Sequence, residues 1–173
     1  MSEFFKQLAG GDRRSIGKAN DLVEEILAAP ERFAEVMAGL SQEDPVIRMR
    51  CADVAEKVSK AHPDWLQPHK RAILTSVARA TEKEIRWHMA QMLPRLTLTA
   101  KERQRASEIM FQYLTDESRI VQTFAMQALA DFAQTDAALH RRLWPLLLKA
   151  SRTGTGAVRA RARLLLARVT EAK

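Results

Sequence analysis

The chain has a single cysteine, six glycines and six prolines, and only 6% of its 173 residues are aromatic. A lone Cys51 excludes an intramolecular disulfide and fits a reducing compartment. So few glycines and prolines leave nothing from which to build a long linker. Residues 1–14 include Glu3, Lys6, Asp12 and two arginines, with no long apolar stretch, so neither a signal peptide nor a membrane span is read there. Strand-like alternation is also missing. These absences lead to the expectation of one soluble, cytoplasmic, all-helical domain over 1–173 with no membrane partner.

What is present is a phrase of small and branched apolar residues that returns at a nearly constant interval. Ile47, Ile85, Val121 and Val158 anchor it, 38, 36 and 37 residues apart, about the length of a two-helix repeat. Four positions past each anchor stand Cys51, Met89, Ala125 and Ala162. Seven past stand Val54, Met92, Ala128 and Leu165, and eight past Ala55, Leu93, Leu129 and Leu166. At about 100° per residue these offsets share one helical face. Small side chains recur there because two helices must approach closely for their ridges to interlock.

Turn and capping residues precede the anchors: Asp44 and Pro45, Glu82, Asp116 to Ser118, and Gly154 to Gly156. Arg48, Arg86 and Arg159 directly follow three of them, and Gln122 follows the other. Between the anchors, helical spacing places first helices at Glu31 to Leu40, Gln67 to Ala80, Ala100 to Leu114 and Asp136 to Ala150. Pro145 should kink the last of these, and Pro94 should either bend or end a second helix.

At these residues the chain resembles the HEAT repeat family, whose units carry an Asp or Asp-Pro turn, then Val-Arg, then Ala-Ala and Ala-Leu pairs. The fit is closest at Asp44, Pro45, Ile47, Arg48, Cys51 and Ala52, and at Val158, Arg159, Ala162, Leu165 and Leu166. The resemblance implies an α-solenoid of about four to five antiparallel two-helix repeats in one superhelical layer. Its units fall at about 31–60, 66–98, 100–134 and 136–170, after a degenerate N-terminal cap at 12–28 around Ser15, Ala19, Leu22 and Val23. Leu22, Val23, Ile26 and Leu27 are expected to cover the next unit, and the basic helix Val158 to Val169 to close the other end.

Chemistry is sparse. His62, His69, His88 and His140 are scattered without neighbouring ligand pairs, so neither a metal nor another cofactor is expected. Cys51 takes an alanine position on the apolar stripe and reads as a small core residue, not a nucleophile. Asp116 and Glu117 read as capping residues, and Gly154-Thr155-Gly156 reads as an inter-helix turn because no strand precedes it. No catalytic residue is identified, and the chain is not read as an enzyme.

Net charge is +7 with a pI near 10.0, which favours an acidic partner without choosing its class. Projection of the second helices leaves a nearly uncharged face that includes Met49, Asp53, Trp87, Gln91, Thr123 and Gln127. Met49, Trp87, Gln91, Thr123 and Gln127 are its candidate partner-binding residues. Trp87 is either an anchor for a partner or a lid over a neighbouring helix; Trp65 and Trp144 read as core. Cations gather on the flanks, and Arg48, Arg50, Arg86, Arg95, Arg159, Arg161 and Arg168 form either a solvated edge or a basic ridge.

Two functional readings follow. The first is a non-enzymatic scaffold or adaptor that holds a protein or peptide, a role that extends to an accessory subunit of an enzyme. The alternative is a nucleic-acid-binding protein that uses the basic flank. It draws on a likeness in architecture to HEAT-like DNA alkylation repair glycosylases, which ends at the fold because the tryptophans and aspartate those enzymes use are not grouped here.

Overall fold

The computed structural model describes residues 3–10 and 17–171, except for the side chains of Val77 and of residues 169–171. Ser15 of the expected cap and the side chain of Val169 therefore lie outside the described residues. Every regular element among the described residues is helical. No helix there is long and apolar enough to cross a membrane. The chain divides into two compact units, Met1–Leu96 and Thr97–Lys173.

In the first unit the helices are α1 (Glu3–Leu8), α2 (Ala19–Ala28), α3 (Phe33–Gly39), α4 (Pro45–Ala61), α5 (Lys70–Arg79) and α6 (Lys83–Met92). Three short 3-10 turns accompany them, at Pro30–Arg32, Pro63–His69 and Leu93–Arg95. The helix α4 is central and packs against α1, α2, α3 and α6. Its start is set locally: Pro45 occupies the first turn, where no amide donor is needed, and the Asp44 carboxylate accepts from the Val46 amide at 2.8 Å. Ile47, Cys51, Val54, Ala55 and Val58 fill the core, as their spacing requires.

Because neighbours surround α4, burial extends beyond its apolar stripe. Met49, Arg50, Asp53 and Ser59 are also buried. The α3–α4 seam is so close that a Cβ on Gly39 would overlap the Cys51 sulfur and press on Phe5. Before α2, Gly17 has φ +54°, and a side chain there would also meet the Arg50 guanidinium. Leu22 and Ile26 of α2 are buried, Val23 is half-buried and Leu27 is exposed. The helix α6 ends at Met92, and Pro94 falls in the following 3-10 turn, so the proline marks an end and not a bend.

In the second unit the helices are α7 (Ala100–Tyr113), α8 (Arg119–Ala133), α9 (Ala137–Thr153) and α10 (Gly156–Glu171). Connections of two to five residues fold each helix back on the one before, and α8 packs against all three others. Two starts carry full caps. Thr99 and Glu102 form a reciprocal capping box on α7, and Asp136 accepts from the amides of Ala138 and Leu139 on α9. The turn Gly154–Thr155 joins α9 to α10, and α9 runs through Pro145, which is exposed.

Trp65 and Trp144 are half-buried, not core. Trp65 stacks on His62 at 4.4 Å and meets Phe33 edge-on at 5.9 Å, while Trp144 stacks on His140 at 5.7 Å. Both rings are partly open to water, as suits a large ring with a polar handle.

Candidate functional site: the basic α9–α10 hairpin

Six of the seven flank arginines are bonded within their own unit. Arg48 donates to the carbonyls of Gln42 and Glu43, both at 2.7 Å, and pairs with Glu82. Buried Arg50 donates to the carbonyls of Leu8 and Gly10 at 2.7 and 2.8 Å, and so ties α1 to α4. Arg86 reaches the Ala80 carbonyl at 2.9 Å. Arg95 bonds the Glu56 carbonyl and the Ser59 hydroxyl at 2.6 and 2.7 Å, and it pairs with the Glu56 carboxylate. Arg161 donates to Gln127 at 2.8 Å, and Arg168 pairs with Asp131. Of the seven, Arg159 alone is exposed without a side-chain partner among the described residues.

The projected neutral face is partly packing surface. Met49 is covered because α4 is enclosed, and Gln127 accepts the bond from Arg161. Trp87 is half-buried, with its ring 5.5 Å from that of His88, and its carbonyl accepts from the Gln91 amide at 3.4 Å. Thr123 is half-buried and donates to the Ile120 carbonyl at 2.8 Å. Met49, Trp87 and Gln91 belong to the first unit, and Thr123 and Gln127 to the second.

Charge divides unevenly along the chain. Residues 1–96 carry 15 basic and 14 acidic side chains, whereas residues 97–173 carry 13 and 7. Beyond Asp136 the imbalance sharpens to nine basic residues against a single acid, Glu171. Of these cations, Arg142 lies over the Phe111 ring at 3.7 Å and pairs with Glu108, and their hydrogen bond raises the pKa of Arg142 and lowers that of Glu108. Arg161 and Arg168 are held by α8. Arg141, Lys149, Arg152, Arg159 and Arg163 are exposed and have no side-chain partner among the described residues.

Helical geometry groups the first three. At about 100° per residue, Arg141, Lys149 and Arg152 share the solvent face of α9, opposite buried Leu139, Leu143 and Leu147. On α10, Arg159 and Arg163 lie on the flank opposite Arg161 and Arg168, the flank not taken by α8. Two large apolar side chains are exposed on this hairpin, Leu146 at 40% and Leu164 at 58%. No acid lies in the chain between 137 and 168, and the two that reach the hairpin from α7 and α8, Glu108 and Asp131, are paired with Arg142 and Arg168, so the remaining cations leave a local excess of positive charge.

The flank positions brought Arg159 to attention but missed Arg141, Lys149, Arg152 and Arg163. Three of these lie on or close the end of a first helix, outside the repeating phrase, and Arg163 sits between two of its apolar offsets. A running count of charge along the chain finds them, because acids stop at Asp136 until Glu171.

Two further titratable groups, Cys51 and His88, are buried in the packing. Burial pushes the Cys51 thiol up to about 12, far from a reactive thiolate at neutral pH. His88 is buried with its Nε2 4.0 Å from Asp53, and burial lowers its pKa against the pull of Asp53 and Glu56. No group of three metal-ligating side chains occurs among the described residues. Comparison with known proteins finds no matching family model, no matching curated protein and no matching solved structure.

Proposed function

We propose that the chain is a non-enzymatic protein-interaction module, a HEAT-like α-solenoid whose basic α9–α10 hairpin holds an acidic protein partner. The observation that carries this reading is the set of five exposed cations at Arg141, Lys149, Arg152, Arg159 and Arg163 that have no side-chain partner among the described residues, with no acid from 137 to 168 in the sequence. Exposed Leu146 and Leu164 beside them favour a partner that offers apolar side chains as well as negative charge. The recurring phrase and the helix pairs 33–61, 70–92, 100–133 and 137–171 support the repeat reading. A lone buried thiol fits a cytoplasmic setting.

The test is titration with a glutamate-rich polypeptide at low and at physiological salt. Saturable binding that weakens with salt and is lost in Arg141→Ala/Lys149→Ala/Arg152→Ala is the expected result. No binding at low salt overturns the reading.

The same unpaired cations support nucleic-acid binding as a second reading, since each phosphate contact uses one cation. Fluorescence polarisation with short labelled single- and double-stranded DNA and RNA separates the two. Binding that persists near physiological salt and outcompetes the acidic polypeptide selects nucleic acid.

A further inference from the structure

Within each unit, a later helix is received by an earlier one in the same register. Counted from the anchors, position +3 of the later helix meets position +6 of the earlier: His88 faces Asp53 in the first unit, and Arg161 donates to Gln127 in the second. Position +10 of the later helix meets position +9 or +10 of the earlier: Arg95 pairs with Glu56, and Arg168 with Asp131. The receiving face of a second helix is therefore built from offsets +6, +9 and +10.

On α10 those offsets fall at Leu164, Ala167 and Arg168, and no described residue covers the first two. Leu164 is 58% exposed, the most exposed large apolar side chain among the described residues, and Ala167 and Ala160 beside it are exposed. On α4 the corresponding positions are Asp53 and Glu56, which bind a cationic or imidazole partner. On α10 the polarity is reversed: an apolar centre is bordered by Arg163 on one side and Arg168 on the other.

We infer that this face of α10 seats an amphipathic helix of the acidic partner, with its leucine-type side chains on Leu164 and its carboxylates toward Arg163 and Arg159. The inference rests on the interaction-module reading and adds the chemistry and the seat. Charge complementarity selects the occupant. A second copy of the chain would bring its own α10, with the same arginines, against these, and like charges oppose that pairing.

The probe is a synthetic helical peptide with leucines at three- and four-residue spacing flanked by glutamates, set against a scramble of identical composition whose leucines cannot align. The decisive variant is Leu164→Lys, which removes the apolar anchor while adding positive charge. Exposed Leu164 tolerates this change, and an unaltered thermal melt confirms the fold.

The expected result is about tenfold tighter binding of the aligned peptide than of the scramble, and about tenfold loss in Leu164→Lys. Equal binding of both peptides, or unchanged or tighter binding by Leu164→Lys, overturns the seat and leaves the acidic-partner reading standing. Failure of both peptides to bind overturns the two together. Sedimentation that shows a dimer dispersed by Leu164→Lys makes a second copy the occupant and overturns the inference.

Discussion

Arg161 on α10 donates to Gln127 on α8, 34 residues earlier, which is close to the interval of the sequence phrase. Arg95 reaches back to Glu56 across 39 residues, and Arg168 to Asp131 across 37. Arginine in these positions bonds one helix pair to the preceding one, with its stem along apolar surface and its fork on an oxygen of the earlier helix. The net charge of the chain is therefore a poor guide to its free charge; on α9 and α10, five cations remain exposed without a side-chain partner among the described residues.

Two arginines on α10 should separate these roles. Arg168→Ala removes the pair with Asp131, whose side chains are 40% and 30% exposed, so the loss of stability should be at most about 1 kcal/mol. Arg163→Ala should leave the melting temperature unchanged but weaken an acidic peptide several-fold. Thermal melts and titrations of both variants check this. An Arg163→Ala protein that melts lower yet binds as before would reverse the assignment.

The all-helical character was legible because its signal is local and recurs along the chain. The anchors Ile47, Ile85, Val121 and Val158 are each buried within a helix, and Asp44 caps the start expected of it, whereas the Thr99 capping box on α7 was not read from the sequence. The site was much less so. A projection gives the direction of Met49 or Gln127 but not whether another helix stands there, and arginines that look solvated in one dimension, such as Arg50, are buried against carbonyls about 40 residues away. Long side chains choose partners across the tertiary structure, and a single-helix wheel holds no information about them.

Acid should weaken the first unit through His88. Burial lowers its pKa below the ordinary 6.5; Asp53, Glu56 and Glu84 pull upward, Lys57 pushes downward, and the net direction is down. The unfolded chain then takes up this proton more readily than the native one, so the contribution is complete above about pH 6.5 and is lost as pH falls toward the native value. Urea midpoints of the parent and His88→Gln at pH 8, 6 and 5 give the result. The gap between them should narrow with acid, and a constant gap refutes the assignment; His69, also lowered by burial, is common to both proteins and cancels.

Arg50 should matter more than any exposed cation. Its guanidinium holds the carbonyls of Leu8 and Gly10, so Arg50→Met keeps the apolar stem but strands the buried Leu8 acceptor. The expected cost is roughly 1–3 kcal/mol, with faster hydrogen exchange in α1 than in α7. Uniform acceleration in both helices would mean that Arg50 does not act through α1.

The α3–α4 seam supplies an internal clock for opening. The Cys51 thiol is fully buried and pushed up to about 12, so at pH 8 an aromatic disulfide reagent should modify it only when α3 leaves α4. Gly39→Ala places a methyl group where the Cys51 sulfur and the Phe5 ring already stand, at an expected cost of about 1–3 kcal/mol. If opening is rapid relative to labelling, the rate follows the open population, and each 1.4 kcal/mol lost should speed modification about tenfold. Labelling of the parent at the rate of a free thiol would mean that the seam does not protect Cys51. A Gly39→Ala protein that is less stable but labels no faster would place the strain elsewhere.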